Sequence, residues 1–121
     1  MLGRLRSDRG AAAVEFAIVS MLLITLLMGI LEFGYAFFLQ GNIAGAAREA
    51  ARVYAISGDR AAALAAAAPI PDGALVDAPL TCTVGDPVTV TITHEYSGLT
   101  GGFLIRDPIT LTGMGTMRCG G

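Results

Sequence analysis

FAIVSMLLITLLMGIL, residues Phe16–Leu31, contains sixteen residues without a charge, and its reading decides the fold. Ala11 to Val14 extend the run backwards past Glu15, and Phe33 to Leu39 extend it forwards past Glu32. A helix rises 1.5 Å per residue, so roughly 20 apolar residues cross the hydrocarbon core of a bilayer. Ala11–Leu31 therefore suffices if Glu15 lies near one edge. Arg4, Arg6 and Arg9 precede the run against a single Asp8, whereas the first arginine beyond it is Arg48. That asymmetry predicts a cytoplasmic N-terminus and an exterior C-terminal part.

Outward from the run the helical pattern continues, so a single helix is expected over residues 11–57, preceded by a basic, polar segment (1–10) with nothing to fold. Its interior glycines, Gly29, Gly34, Gly41 and Gly45, are costly in a water-exposed helix. They either permit close approach of another helix or bend this one. Ile43, Ala47, Ala50 or Ala51, and Tyr54 recur at helical spacing on one side, while Glu49 stands three residues before Arg52. Gly58 is placed to end the helix. Asp59 then caps a short helix over Arg60–Ala68 that Pro69 stops, and the turn-rich residues 69–79 form a linker.

Beyond the linker the period changes to two. Leu80, Cys82 and Val84 alternate with threonines. VTVTITHEY places Val88, Val90, Ile92 and His94 on one face, with "GDP" (85–87) as the hairpin connection. Ile109, Leu111, Met117 and Cys119 share a parity, which predicts a third strand over 109–119. The order, helix first and antiparallel strands after, predicts an α+β fold with a small exterior head over residues 58–121.

Composition narrows the function classes. The 121 residues are 54% hydrophobic and 15% charged, with a mean hydropathy of +0.64 and a net charge of −2. Eight arginines, no lysines and ten acidic residues leave no basic footprint for nucleic acid. Cys82 and Cys119, both on the expected exterior side, form one disulfide in an oxidising compartment; two separate buried thiols are the alternative. His94 is the single histidine, so no metal-ligand cluster is expected. Asp72, Asp77, Asp86 and Asp107 lie at Pro- and Gly-rich turns, where Asp serves turn geometry. The glycines in and after SGLTGGFL (97–104) read as loop. No nucleophile elbow, phosphate loop or CxxC is present, so no enzymatic activity, cofactor or small-molecule substrate is expected.

The stretch RGAAAVEF (9–16) accounts for the misplaced carboxylate. It resembles the class III signal of type IV pilins, a short basic leader ending in Gly, then Glu at the fifth position after it and an aromatic at the sixth. Gly10, Ala11, Glu15 and Phe16 occupy those places. A secretory signal with Ala44-Gly45-Ala46 as cleavage site fits poorly, because the apolar run is too long and carries Glu15 and Glu32. GAAAVEFAIVSMLLITLLMGILEFG, followed by NIAGAAREAARVYA, is similar to the TadE-like family, pilin-like proteins of Tad (Flp) pilus systems. One departure is Met21 after Ser20, where the family often carries Pro; the helix should be straighter there.

The resemblance implies that prepilin peptidase cuts after Gly10 and frees the Ala11 amine. Glu15 then pairs with that amine on a neighbouring subunit and sets register, with Gly29 and Gly34 in the helix contact. A carboxylate in lipid is costly unless partnered. Removing residues 1–10 takes the net charge from −2 to −4 before the new amine is counted. The implied protein is a minor pilin or pseudopilin of the bacterial inner membrane, or of an extracellular pilus, whose partners are other pilin subunits, the Tad assembly platform and the lipid bilayer. The alternative is an unprocessed single-pass protein whose exterior domain binds an envelope partner. Glu32, about 25 Å further along the helix than Glu15, is expected to be a solvated charge at the outer interface.

Overall fold

The computed structural model describes the backbone from Leu2 and the side chains from Asp8 onwards; Met1 and the Arg4 and Arg6 side chains of the expected leader lie outside the described residues. Five elements follow in order: α1 (Leu2–Ser57), α2 (Arg60–Ala66), β1 (Leu75–Asp77), β2 (Pro87–Tyr96) and β3 (Ile109–Arg118). The fold is α+β, as expected, with a three-stranded antiparallel sheet in the order β1-β2-β3.

Helix α1 is 56 residues long and extends about 84 Å at the ordinary rise. No proline interrupts it. Contrary to the expectation of an unstructured leader, the described part of residues 1–10 is helical. Leu and Arg propagate a helix readily once a long neighbouring segment has nucleated it. The hydroxyls of Thr25 and Ser57 donate to the carbonyls of Met21 and Val53, at 2.8 and 2.7 Å, and the Ser57 hydroxyl also accepts the Asp59 N–H at 3.1 Å. At the far end Gly58 takes φ +65° and its N–H donates to the Tyr54 carbonyl at 2.8 Å, closing the helix in the expected way. Asp59 caps α2 by accepting from the Ala61 N–H at 2.8 Å.

The head lies along the second half of α1. Ile43, Ala47, Ala50, Ala51 and Tyr54 are buried, the stripe that helical spacing predicts, and Ala36 and Leu39 continue it towards the apolar run. Opposite them stand Val88, Val90 and Ile92 of β2 and Leu111 of β3, also buried. Strand β3 pairs with β2 along its whole length, Val90 opposite Gly115 and Ile92 opposite Gly113. It runs in the same direction as α1: the Gln40 side chain donates to the Thr112 carbonyl at 2.7 Å, and the Gly120 N–H donates to the Ala55 carbonyl at 2.8 Å.

Two glycines make that packing possible. A Cβ on Gly113 would lie 2.6 Å from the Ile43 carbonyl carbon, and one on Gly115 would lie 2.6 Å from that of Ala47. Two strand residues advance about 6.6 Å and four helical residues about 6 Å, so successive inward positions of β3 meet successive turns of α1. Both glycines lie within the third strand expected over 109–119; the close approach of α1 is what alternation does not reveal.

One strand is also displaced from its expected place. Residues 80–84 are not a strand, and β1 instead falls within the expected linker, pairing Leu75 with Thr93 and Asp77 with Thr91. The reason lies at the end of α1. The Tyr54 hydroxyl donates to the Pro79 carbonyl at 2.7 Å, and Cys82 is bonded to Cys119 with a Cα–Cα distance of 5.7 Å. This segment is tied to the helix end rather than to the sheet edge, and Leu80 and Val84 point into solvent.

Candidate functional site

Two carboxylates, Glu15 and Glu32, bracket the apolar run of α1, and they are treated in opposite ways. Glu32 is completely buried. Its Oε1 accepts the Leu99 N–H at 2.7 Å and the Tyr96 hydroxyl at 3.0 Å, and its Oε2 accepts the Thr100 N–H at 3.1 Å. This corrects the expectation of a solvated charge. A carboxylate loses water at great cost unless charge-assisted hydrogen bonds replace it, and here two consecutive backbone amides and a phenol do so.

The loop that supplies them is shaped for the purpose. Gly98 adopts φ +86°, and a Cβ there would collide with Glu32 Oε1. Only glycine turns the chain there and lets consecutive amides face the carboxylate. Burial raises the Tyr96 phenol above the usual tyrosine range, and the hydrogen bond to Glu32 and the Glu32 charge raise it further. Tyr96 thus stays protonated and donating. The Tyr35 ring lies against it, centroids 6.0 Å apart. Glu32 is the residue that sequence reasoning misjudged. Its signal was a carboxylate embedded in apolar sequence together with a glycine-rich loop following a strand that ends in an aromatic.

Glu15 has no such reception. It and Gly10, Ala11 and Phe16 are exposed on successive turns of α1, and no hydrogen bond or ion pair reaches Glu15 among the described residues. From Asp8 to Leu31 the side chains are exposed apart from the half-buried Ser20 and Gly29. Phe16 is 75% exposed and Met21 72%. A Cβ added at Gly29 or Gly34 would meet nothing within 4 Å, so neither glycine serves a contact within the chain. Leu22, Thr25, Leu26, Gly29, Ile30 and Phe33 line a shallow, almost wholly apolar groove on this stretch. This helix is long and apolar enough to cross a membrane.

The remaining chemistry is sparse. Cys82 and Cys119 are joined, as expected. His94 lies on the predicted face of β2, its Nδ1 buried without a hydrogen-bond partner among the described residues. A cleft beside it is lined by Asp72, Thr93, Glu95 and Thr110. The described residues contain no group of three His, Cys, Asp or Glu side chains placed to hold a metal. The arrangement equips the chain to display an apolar helix and to hold a head against its far half.

Compared with known proteins, residues 10–52 match the family model of the TadE-like proteins. The match begins at Gly10 and takes in the apolar run, both carboxylates and most of the head-bearing face of α1. It bears out the resemblance carried by RGAAAVEF and the helix after it. No curated protein and no solved structure matches the chain.

Proposed function

We propose that this chain is a minor pilin or pseudopilin that takes part in Tad (Flp) pilus assembly, processed after Gly10 and packed against other subunits through α1. The observation that carries the reading is the contrast between the two carboxylates. Among the described residues an elaborate partner set surrounds Glu32 and none reaches Glu15, although both flank an apolar run. A charge at a membrane edge without an internal partner points to an external one. Cleavage after Gly10 by prepilin peptidase supplies it, because the Ala11 amine of a neighbouring subunit is a cation at the same depth. Gly29 and Gly34, neither packed within the chain, fit the same use, since small residues let helices approach closely.

In this reading the N-terminus is cytoplasmic, the head is exterior, and the role is structural rather than catalytic. The eight helical residues before Gly10, Leu2–Arg9, are marginal by themselves, so this end opens readily for a peptidase. The mass of the mature N-terminus is the test. A chain beginning at Ala11, and a Gly10→Lys variant that keeps its leader and fails to assemble, support the proposal; an intact leader in the wild type sinks it and favours an unprocessed membrane-anchored protein.

A further inference from the structure

We propose that the loop of residues 97–108 is a second membrane contact, inserting Leu99 and Phe103 into the interfacial layer of the bilayer on the head's side. The proposal rests on the reading of α1 as a membrane span. Ala11–Leu31 measures about 31 Å along the helix axis, the thickness of a hydrocarbon core. Glu32 therefore stands at its edge. The hydrogen bonds from the Leu99 and Thr100 amides to Glu32 fix the start of the loop at that same level. The Leu104 N–H donates to the Thr100 hydroxyl at 3.3 Å, folding the segment back so that Phe103 cannot extend far from it.

What the loop exposes there is apolar. Phe103 is 75% exposed and Leu99 57%, although buried apolar positions were available a few residues away, as Ile105 shows. On α1, within two turns of Glu32, Phe33 and Phe37 are 56% and 76% exposed, so helix and loop both present apolar side chains near this level. Aromatic side chains are favoured at this depth. Arg106, exposed three residues after Phe103, has a side chain long enough to reach lipid phosphates. The occupant is thus a lipid surface, and the Glu32 socket is the device that holds the loop at the right depth.

The chain has no tryptophan, so single-tryptophan variants of the full chain report depth in vesicles of phosphatidylcholine and phosphatidylglycerol brominated near the headgroup or near the acyl terminus. Phe103→Trp tests the loop, and Met21→Trp, at the middle of the run, tests the span. Leu80→Trp, beside the far end of α1, is the distant control. The expected result is loss of Phe103→Trp fluorescence chiefly to the shallow bromines, loss of Met21→Trp fluorescence chiefly to the deep ones, and no loss for Leu80→Trp. Quenching of Met21→Trp without quenching of Phe103→Trp overturns the loop contact and leaves the span intact. A blue-shifted but unquenched Phe103→Trp assigns the loop to a protein neighbour and overturns it too. Unquenched Met21→Trp removes the span itself.

Discussion

The Glu32 carboxylate and the Leu99 amide, 67 positions apart in sequence, meet at 2.7 Å. That contact registers the head on the helix: it joins the residue that ends the apolar run to the loop that ends β2. Glu32→Ala strands two amides and a phenol inside the protein. We expect the head's melting temperature in detergent to fall by roughly 5–10 °C. Glu32→Gln should also destabilise, because its amide nitrogen would face the Thr100 N–H with donor against donor. Gly98→Ala should cost about 1–3 kcal/mol in urea unfolding, combining left-handed strain with the clash against Glu32. Wild-type stability in Glu32→Ala would show that the socket contributes nothing.

Alkaline pH tests the same socket through Tyr96. Its phenol is harder to ionise in the folded protein than in the unfolded chain, because of burial, the bond to Glu32 and the Glu32 charge. A group whose folded pKa is raised contributes fully below its unfolded value, here about 10, and loses that contribution as pH climbs through the folded value. Urea midpoints should therefore be insensitive to this group at neutral pH and drop above about pH 10. Tyr96→Phe should begin about 1 kcal/mol less stable and show a shallower alkaline decline. Parallel declines in the two proteins would remove Tyr96 as the cause.

Glycines in the two halves of the molecule should answer differently to the same substitution. Gly113→Ala and Gly115→Ala push a methyl against the backbone of Ile43 and Ala47, and about 1–3 kcal/mol of stability should be lost in each. Gly29→Ala and Gly34→Ala meet nothing within the chain, so stability should hold. Their effect should appear in crosslinking between subunits, which weakens if these positions carry helix contact. Loss of head stability in the second pair would mean that α1 is packed otherwise than described.

The bond between Cys82 and Cys119 closes a separation of 37 residues, for which restriction of the unfolded chain contributes at most about 4 kcal/mol. Cys119→Ser, or wild type under reductant, should lower the urea midpoint accordingly and free residues 79–84 from the end of α1. Faster proteolysis confined to that segment is the expected signature. Uniform proteolysis of the whole head would place the bond at the centre of the fold instead.

Local pattern disclosed those parts of the fold whose partners are other side chains. The buried stripe of α1, the inward faces of β2 and β3, the Asp59 cap and the Gly58 terminus all follow from spacing or residue type. The misses share a different cause. Strand β1 is three residues long with Leu75 72% exposed, too short for alternation to register. Leu80–Val84 alternates well but is captured by Tyr54 and Cys119 before it can reach a strand. Glu32 is held by backbone amides, which every residue carries and no sequence pattern reveals. The close approach of α1 at Gly113 and Gly115 was hidden because a glycine that admits a neighbouring backbone looks the same as one that turns a loop. Of the candidate site, Glu15 and the residues around it were legible as an exposed motif, whereas the socket emerged only with the chain folded.

Since β3 and α1 run in the same direction, the attachments between head and helix form a row: Leu99 at Glu32, Gly113 at Ile43, Gly115 at Ala47 and Gly120 at Ala55. The row extends about 35 Å along the axis. A pull along α1 therefore loads every attachment together, in shear, instead of opening them one after another like a zipper. The head is mounted to withstand axial tension, and peeling it sideways from either end is the direction in which it is weak.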